Sequence, residues 1–392
     1  MLQTLARVAE QRLRNIDLAR RAVLHEGCTH ADGLSDSWIA RSWQRCLANG
    51  QRPEQTVVFD MVSVQAQRRS EEANHSLLAA ARPALKQLSH AITDTRYFAI
   101  LTNAQGVVVD VSGPVDRRDA RASAIARIGL DLSERAVGTT AVSAALGELQ
   151  PIWLHRGEHF YNGNAAYSCA GAPLFGPDGQ CVGMLDLTGI DVDERPELKY
   201  LAAQSARSIE NALTLARAHS LLVRLNWPGR QLGGESDGLV CLDADGWVTG
   251  ANQTARQMVC SLSDASREGG NDGSGAKEVA PVHSSELFAM PFEMLFDSAG
   301  RDAYGEPAPM DVPLWSGLRL NAISQTRAQT GAATNSQWNT LGADSHSLRD
   351  VEIALIRKAV SQAKGNVMQA ARELGISRAT VYRKLGHRKT ID

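Results

Sequence analysis

Side chains suited to binding nucleic acid are concentrated in one short segment that begins at residue 377. The segment "SRATVYRKLG" has helical periodicity, with Val381 and Leu385 on its inner side. Its outward side chains are Arg378, Thr380, Arg383 and Lys384. An arginine guanidinium can donate two hydrogen bonds to a guanine edge, and lysine or threonine can bind phosphate oxygens. The segment therefore predicts contacts with double-stranded DNA.

Two preceding helices are expected to position this segment. The first follows Ser347 and Asp350, a capping-box-like pair, and ends at Lys364 to Asn366. The second, "VMQAARELG", contains Gly375, which permits a tight turn, and Ser377 then caps the last helix. This order predicts a helix-turn-helix whose last helix enters the major groove. The alternative is a small helical bundle with a solvated basic face.

The charge of the chain is unevenly distributed. Residues 348–392 contain ten lysine and arginine residues against four acidic ones, a net charge of +6, whereas the whole chain has a net charge of −2. The preceding body is therefore acidic. A basic patch attracts phosphates irrespective of base sequence, which agrees with a DNA-binding end.

The same residues carry a family resemblance. "GNVMQAARELGISRATVYRKLG" closely resembles the Fis-type helix-turn-helix that ends bacterial enhancer-binding regulators. The resemblance implies that Arg378 is the main base reader, with Arg383 beside it, and that Asn366, Thr380 and Lys384 contact phosphates. Ser377 is also predicted to contact the DNA. A homodimer on an inverted repeat is expected, because two-fold protein symmetry matches palindromic half-sites.

The rest of the chain has the composition of a globular protein. Its 392 residues suffice for two or three domains, and 43% of them are hydrophobic. No apolar run reaches the ~18 residues of a membrane helix, and the N-terminus lacks the apolar core of a signal peptide. We therefore expect a cytoplasmic protein without a membrane partner. Six cysteines include no CxxC pair, which argues against a zinc ribbon or a disulfide framework.

Two segments have the composition of linkers. Residues 261–282 are rich in glycine, serine and aspartate and predict a flexible insert, and residues 325–347 predict a polar tether. Residues 1–76 form a predicted helical segment, with one helix over Leu2 to His25 and another around Trp38 and Trp43. The first of these helices packs on its own domain or, as the alternative, forms a dimer contact.

Residues 77–218 have a mixed α/β pattern. A hairpin is predicted around Asn103 to Gly106, an extended start in "PIWLHRGEHF", and two strands around Pro177 to Gly179. A long helix is predicted over residues 197–225, with apolar positions that include Leu215 and Leu222. These elements predict an antiparallel sheet flanked by helices, an α+β domain.

Four separated motifs occur in order between residues 35 and 220: "SWQRCLANG", "ERAVGTTAVSAAL", "HRGEHF" and "SCAGAPLFGPDGQCVGMLDLTG". Together they resemble the sensor half of the AcoR/DhaR group of bacterial transcriptional regulators. The resemblance implies a GAF-like domain at residues 77–218 that holds a small-molecule effector over its sheet. Small polar catabolites are the expected effectors.

Seven polar residues are candidates for contact with the effector: Glu134, Thr139, Thr140, His155, His159, Tyr161 and Cys169. His155 and His159 have metal-ligand spacing only in a helix, and their segment begins as a strand, so no metal site is predicted. Cys169 has no basic neighbour in sequence that would activate a redox thiol, which favours a buried structural thiol. Glu134 and the threonines can alternatively cap the helix in "AVGTTAVSAAL".

Residues 219–324 predict a second sheet-containing module. "SDGLVCLDADGWVTGANQTARQMV" has two strand patterns around Asp243 to Gly246 and a helix from near Asn252, which resembles the opening of a PAS-like fold. "ELFAMPFEMLFD" and "DVPLWSGLRLNAIS" would supply a later helix and strand. The glycine-rich insert departs from a compact PAS domain, so we predict a degenerate PAS-like connector. The alternative is a connector that folds only against the sensor.

An ATPase domain normally lies between the sensor and the helix-turn-helix of AcoR-type activators. Such a domain requires a GxxxxGK[ST] phosphate loop, whose amides and lysine hold the phosphates. In "GGNDGSGAK" the lysine follows Ala276, and Glu278 stands where serine or threonine is needed. The sequence therefore predicts no ATPase of its own.

The predicted protein is a GAF-like sensor, a degenerate PAS-like connector and an all-α C-terminal helix-turn-helix. Its predicted function is ligand-responsive control of a catabolic operon, without a cofactor, through RNA polymerase or a related activator. The alternative is an interaction protein that modulates a full-length sigma-54-type activator and binds DNA weakly. An enzyme is not predicted, because no acid/base or nucleophile constellation occurs at motif spacing.

Overall fold

The computed structural model describes residues 2–28, 37–57, 59, 62–264, 281–299, 309–326 and 367–368. The chain divides into two compact units, residues 1–327 and 328–392. All strands described belong to the first unit. In the second unit the described residues are Val367 and Met368, both helical.

The first half of the larger unit contains eight α-helices and five strands within the described ranges. Its helices are α1 (Leu2–Arg20), α2 (Ser37–Ala48), α3 (Val64–Ala73), α4 (His75–Ala91), α5 (Ala120–Ile125), α6 (Glu134–Val137), α7 (Ala141–Glu148) and α8 (Leu198–Leu215). Its strands are β1 (Tyr97–Asn103), β2 (Val108–Ser112), β3 (Ile152–His155), β4 (Tyr167–Phe175) and β5 (Cys181–Ile190).

The second half contains a further sheet. Its strands are β6 (Leu221–Asn226), β7 (Gly238–Leu242), β8 (Val248–Ala251), β9 (Met310–Pro313) and β10 (Arg319–Thr326). Its helices are α9 (Gln253–Met258), α10 (Ser261–Asp264), α11 (Ser284–Leu287) and α12 (Glu293–Asp297).

The N-terminal helix packs on its own unit. Helix α1 continues into a π-helical turn at Arg21–His25, so the helix predicted over Leu2 to His25 is confirmed. Ile16, Ala19 and Val23 are buried on one stripe of this helix. Arg20, on the same stretch, donates hydrogen bonds to the backbone between residues 157 and 160. These contacts agree with the first of the two predicted roles for the helix.

The first sheet is antiparallel, in the order β2-β1-β5-β4-β3, and it is covered on both faces. Helices α4 and α8 pack against each other and against one face. Helices α2, α5, α6 and α7 contribute buried residues to the core on the opposite face. The predicted hairpin, the extended segment at residue 152 and the strand pair around Pro177 are confirmed.

The long helix predicted over residues 197–225 ends earlier than expected. Helix α8 stops at Leu215, and Leu222 lies in the central strand β6 of the second sheet. The prediction of Leu222 as a helical position is therefore wrong. From sequence alone, a short run of apolar residues is compatible with a buried helix or a buried strand. Here the run pairs with β7 and β10 and is therefore a strand.

The second sheet is also antiparallel and has the order β8-β7-β6-β10-β9. The two strands around Asp243 and the helix after Asn252 are confirmed, and Asn252 caps α9. The segment predicted to supply one later strand forms the two strands β9 and β10 instead. Gln325 and Thr326, which were predicted to begin the tether, extend β10 because they pair with β6.

The segment predicted as an insert starts with the helical turn α10. Leu262 of this turn is buried in the core of the second sheet, so packing begins within the segment. Residues 265–280 and 327–347 lie outside the described residues.

Helix α8 connects the two sheets. Its end packs through Leu215 on the second sheet, and the Thr214 carbonyl accepts a hydrogen bond from the Cys241 thiol. Asn252 Nδ2 donates to Asn211 Oδ1 of α8 at 2.8 Å. The turn between β4 and β5 also contacts the second sheet, because the Pro177 carbonyl accepts from the amide of Ala251.

Candidate functional site

A cavity lies over the first sheet, on the face opposite α4 and α8. Its volume, measured as the space open to the centre of a water molecule, is about 40 Å³. Strands β1, β4 and β5 form its floor, and short helices and loops form its walls. Its lining residues are Phe59, Ile100, Ile125, Leu132, Val137, Thr140, Ala141, Val142, His159, Asn164, Tyr167, Cys169, Asp186 and Thr188. The cavity is therefore a mostly apolar space with a few polar groups, as is usual for small-molecule sites.

Strand alternation places the polar floor residues. Along β5, Leu185 and Leu187 enter the core beneath α4 and α8, so the residues between and after them face the cavity. These are Asp186 and Thr188. The same alternation on β4 turns Tyr167 and Cys169 towards the cavity.

Asp186 is the most unusual of these groups. It is 2% exposed and lies on the central strand, opposite Ile100 of β1 and Gly171 of β4. One carboxyl oxygen, Oδ2, accepts a hydrogen bond from the Thr188 hydroxyl. The other, Oδ1, is buried and has no hydrogen-bond partner among the described residues. Burial raises the pKa of Asp186 to about 7, because desolvation disfavours the charged carboxylate.

His159 lies on the cavity wall as a neutral imidazole. Its Nδ1 donates to the Arg156 carbonyl at 2.9 Å, because a carbonyl can only accept. Burial lowers the pKa of His159 to about 4, so the ring is uncharged at neutral pH. The neutral ring with a proton on Nδ1 leaves Nε2 as a hydrogen-bond acceptor.

Cys169 contributes a protonated thiol to the floor. Its Sγ lies 3.4 Å from Thr188 Oγ1. Burial raises the pKa of this thiol well above its ordinary value, and nearby Asp186 acts in the same direction. A thiol that does not ionise is a poor nucleophile, so the environment does not suit a redox-reactive cysteine.

Thr140 both caps a helix and lines the cavity. Its hydroxyl accepts a hydrogen bond from the amide of Ser143 at 3.2 Å. The Ser143 hydroxyl in turn accepts a hydrogen bond from the Thr140 amide, which completes a capping box. Three of the seven predicted effector contacts, Thr140, His159 and Cys169, are thus brought together at one cavity.

The other four predicted residues are placed outside the cavity lining. Glu134 begins α6 and accepts two hydrogen bonds from Arg45 at 2.9 and 2.8 Å, and one from Ser42 at 2.8 Å. Thr139 also contacts Ser42, with 2.7 Å between their hydroxyl oxygens. Both residues therefore attach α2 to the loop before α7. Tyr161 packs against Phe160, with ring centroids 5.0 Å apart.

His155 lies on the other face of the first sheet. Its ring stacks on Trp153, and its Nδ1 lies 2.7 Å from Ser168 Oγ. Because Trp153 packs beneath α8, His155 and the cavity residue His159 do not converge. No group of three or more histidine, cysteine, aspartate or glutamate side chains is placed to hold a metal ion within the described ranges.

Sequence reasoning missed Asp186, Thr188, Asn164 and Tyr167 as cavity residues. A signal for the first two was available in "MLDLTGI", where polar residues alternate with leucines in an otherwise apolar strand. Such alternation indicates a polar group on a buried face. Asn164 and Tyr167 carry no comparable signal.

The predicted DNA contacts lie outside the described residues. They are Asn366, Ser377, Arg378, Thr380, Arg383 and Lys384. The helices that are described are each too short or too polar to cross a bilayer.

Comparison with known proteins identifies both ends of the chain. Residues 14–211 match the family described as MimR, N-terminal domain, and residues 347–386 match the family described as bacterial regulatory protein, Fis family. The second match contains all six predicted DNA contacts. The family match agrees with the predicted resemblance to activators of the AcoR group.

Individual relatives are regulators of catabolic operons. The chain is 29% identical over 302 residues to the acetoin catabolism regulatory protein of Cupriavidus necator, a match that covers 74% of the chain and 42% of that protein. It is 26% identical over 197 residues, 50% of the chain, to the propane 2-monooxygenase operon transcriptional activator of Mycolicibacterium smegmatis, and the match covers 32% of that protein. The chain thus matches less than half the length of either relative. Among solved structures, the E. coli DhaR(N)–DhaL complex is similar with a TM-score of 0.43 and 14% identity, covering 74% of this chain and 99% of that one.

Proposed function

The chain belongs to the family described as MimR, N-terminal domain, and we propose that it is a ligand-responsive, DNA-binding regulator of a catabolic operon. The observation that carries the proposal is the presence of this family match and a Fis-family match in one chain. The N-terminal match supplies the proposed sensor, and the C-terminal match supplies the proposed contact with the promoter.

The proposed DNA contact is the helix-turn-helix at residues 348–392. Its net charge of +6 favours phosphate binding, and its arginines allow base readout in the major groove. Arg378 is the proposed base reader, and a homodimer on an inverted repeat is the proposed binding unit.

The proposed sensor is a GAF-like domain at residues 77–218, followed by a PAS-like connector at 219–324. The cavity over the first sheet supports the sensing role, because it is mostly apolar and has a few polar groups in its lining. Relatives named for acetoin catabolism and propane oxidation support a small catabolite as the effector. Helix α8 provides a packed connection from the sensor to the connector.

The proposed mode of action uses no ATPase of this chain. The sequence contains no GxxxxGK[ST] phosphate loop, so recruitment of RNA polymerase or occlusion of a promoter is the proposed action. The same observation favours a second candidate, in which the chain modulates a full-length sigma-54-type activator through its sensor and binds DNA weakly.

Footprinting of the purified chain on DNA beside its own gene tests the proposal. We expect a protected inverted repeat, bound more tightly than random DNA, with an affinity that falls as salt is raised. A chain that protects no site and binds random DNA equally well contradicts the proposal and favours the second candidate.

A further inference from the structure

Four carboxyl groups are buried in the part of the chain that the structure describes: Glu158, Asp186, Glu210 and Asp237. Three of them have partners suited to their burial. Glu158 pairs with Arg12, and Asp237 accepts from Asn226 and from the amide of Gly233. Glu210 accepts from the amide of Phe175 at 2.9 Å. Of the four, only Asp186 has a fully buried carboxyl oxygen without a hydrogen-bond partner within the described residues.

A buried acceptor without a partner is costly. Leaving such a group unsatisfied costs about 1–3 kcal/mol, and more when it is charged. Asp186 is one of the residues that line the cavity, and we infer that a ligand bound there can supply the missing donor. Thr188 holds the second oxygen and thereby fixes the orientation of the carboxyl group.

We propose that Asp186 is the specificity-determining polar contact of the effector, and that its Oδ1 accepts a hydrogen bond from a hydroxyl group of a small neutral ligand. The inference rests on the proposed sensing function and deepens it, because it names the residue and the ligand chemistry.

The dimensions and lining of the cavity define the ligand class. Its volume of about 40 Å³ leaves room for roughly three water molecules, which favours a small ligand. Apolar side chains such as Ile100, Leu132 and Val142 match a short carbon skeleton. His159 Nε2 offers a second acceptor for another hydroxyl group.

The charge of the cavity favours a neutral ligand. A carboxylate ligand would lose its hydration in apolar surroundings, and above about pH 7, where Asp186 is ionised, it would also be repelled by that side chain. An ammonium group would have to leave water and satisfy three donors at once. A short diol presents hydroxyl donors without either penalty.

Three compounds with one carbon skeleton test the inference: 1,2-propanediol, lactate and 1-amino-2-propanol. Binding to the full chain is followed by NMR at up to about 100 mM, where a site of millimolar Kd is saturated. We expect 1,2-propanediol to bind, and lactate and the amine to bind at least tenfold more weakly. Asp186→Leu should abolish binding of the diol, and Asp186→Asn should weaken it at least tenfold. The control Asp94→Asn, at an exposed position, should bind like the wild type.

Several outcomes would overturn the inference. These are no binding of the diol, equal or tighter binding of lactate or the amine, and unchanged diol binding in both Asp186 variants. Circular dichroism of each variant shows whether it is folded, and Asp186→Asn introduces a neutral group of the same shape. Footprinting on the same samples separates the two proposals: DNA protection without diol binding contradicts only this inference, whereas diol binding without DNA protection contradicts only the proposed function.

Discussion

At the scale of single residues, Asp186 shows how a buried strand can hold a titrating group. Burial raises the pKa of its carboxyl from an ordinary value of 3.8 to about 7. Between these two values the folded protein keeps a proton that the unfolded chain has lost. This contribution to stability is therefore complete below about pH 4 and is lost as the pH rises through 7.

Asp186→Asn should remove this dependence on pH. Between pH 5 and pH 8 the wild type should lose about 2–3 kcal/mol of unfolding free energy relative to the variant, since each pH unit from 5 up to the folded pKa of about 7 contributes about 1.4 kcal/mol. Urea unfolding of both proteins across this range measures the difference. Burial also raises the pKa of Glu210 to about 7. Because Glu210 is present in both proteins, its contribution cancels in the difference between their stabilities.

The exposed Asp94 provides the matched control, because Asp94→Asn removes a carboxyl group without changing a buried site. Its stability should run parallel to that of the wild type at every pH. A parallel curve for Asp186→Asn would show that Asp186 is already ionised in the folded protein at pH 5.

The site was predictable only in part. The polar residues Thr140, His159 and Cys169 stood out in recognisable motifs, and they do line the cavity. Asp186 lies in one of the same motifs, and its alternation with leucines indicates a polar group on a buried face, but its position between β1, β4 and the cavity does not follow from that pattern. Such neighbours are distant in sequence, so a single polar letter in an apolar strand does not reveal them.

At the scale of elements, Arg20 secures α1 to the loop that carries His159. Its guanidinium donates to the carbonyls of Gly157, His159 and Phe160 at 2.7, 2.6 and 2.9 Å, and to Asn162 Oδ1 at 2.6 Å. It also lies over the Trp43 ring, 5.4 Å from the centroid. Burial lowers the pKa of Arg20, but an arginine stays charged in proteins.

Arg20→Met should lower the free energy of unfolding by about 2–4 kcal/mol. The substitution keeps much of the side-chain volume but leaves several carbonyl oxygens without their charged donor. Chemical denaturation measures the loss. Arg14→Met, on the same helix, is the control: Arg14 is exposed and pairs with Glu10 one turn away, so the loss of unfolding free energy should stay below about 0.5 kcal/mol. Equal effects of the two substitutions would contradict the anchoring role of Arg20.

Element predictions succeeded where a local signal marked the boundary. Turn residues at Asn103–Gly106 and around Pro177 separated strands correctly, and Asn252 correctly marked the start of α9. The prediction for the end of α8 was wrong, because the apolar run at Leu221–Asn226 fits the periodicity of a helix as well as that of a buried strand. Pairing with β7 and β10 makes it a strand. Long-range pairing of this kind is not encoded in a short window of sequence.

At the scale of the whole molecule, the chain combines an acidic body with a basic end. Eight of the ten lysine and arginine residues in 348–392 lie within the Fis-family match. The two sheets of the larger unit are joined through α8, which packs against both of them. We predict that an effector bound over the first sheet would alter DNA affinity only as far as it binds the DNA-competent state differently.

The central claim is that this chain reads DNA sequence through its C-terminal helix. The most direct measurement compares the affinities of the full-length wild type, Arg378→Ala and Lys384→Ala for the footprinted site and for random DNA. We predict that Arg378→Ala loses about 1–3 kcal/mol on the specific site and little on random DNA, while Lys384→Ala weakens both alike and reduces the salt slope by about one unit. Equal losses on both DNAs for Arg378→Ala, or unchanged affinity for both variants, would contradict the account.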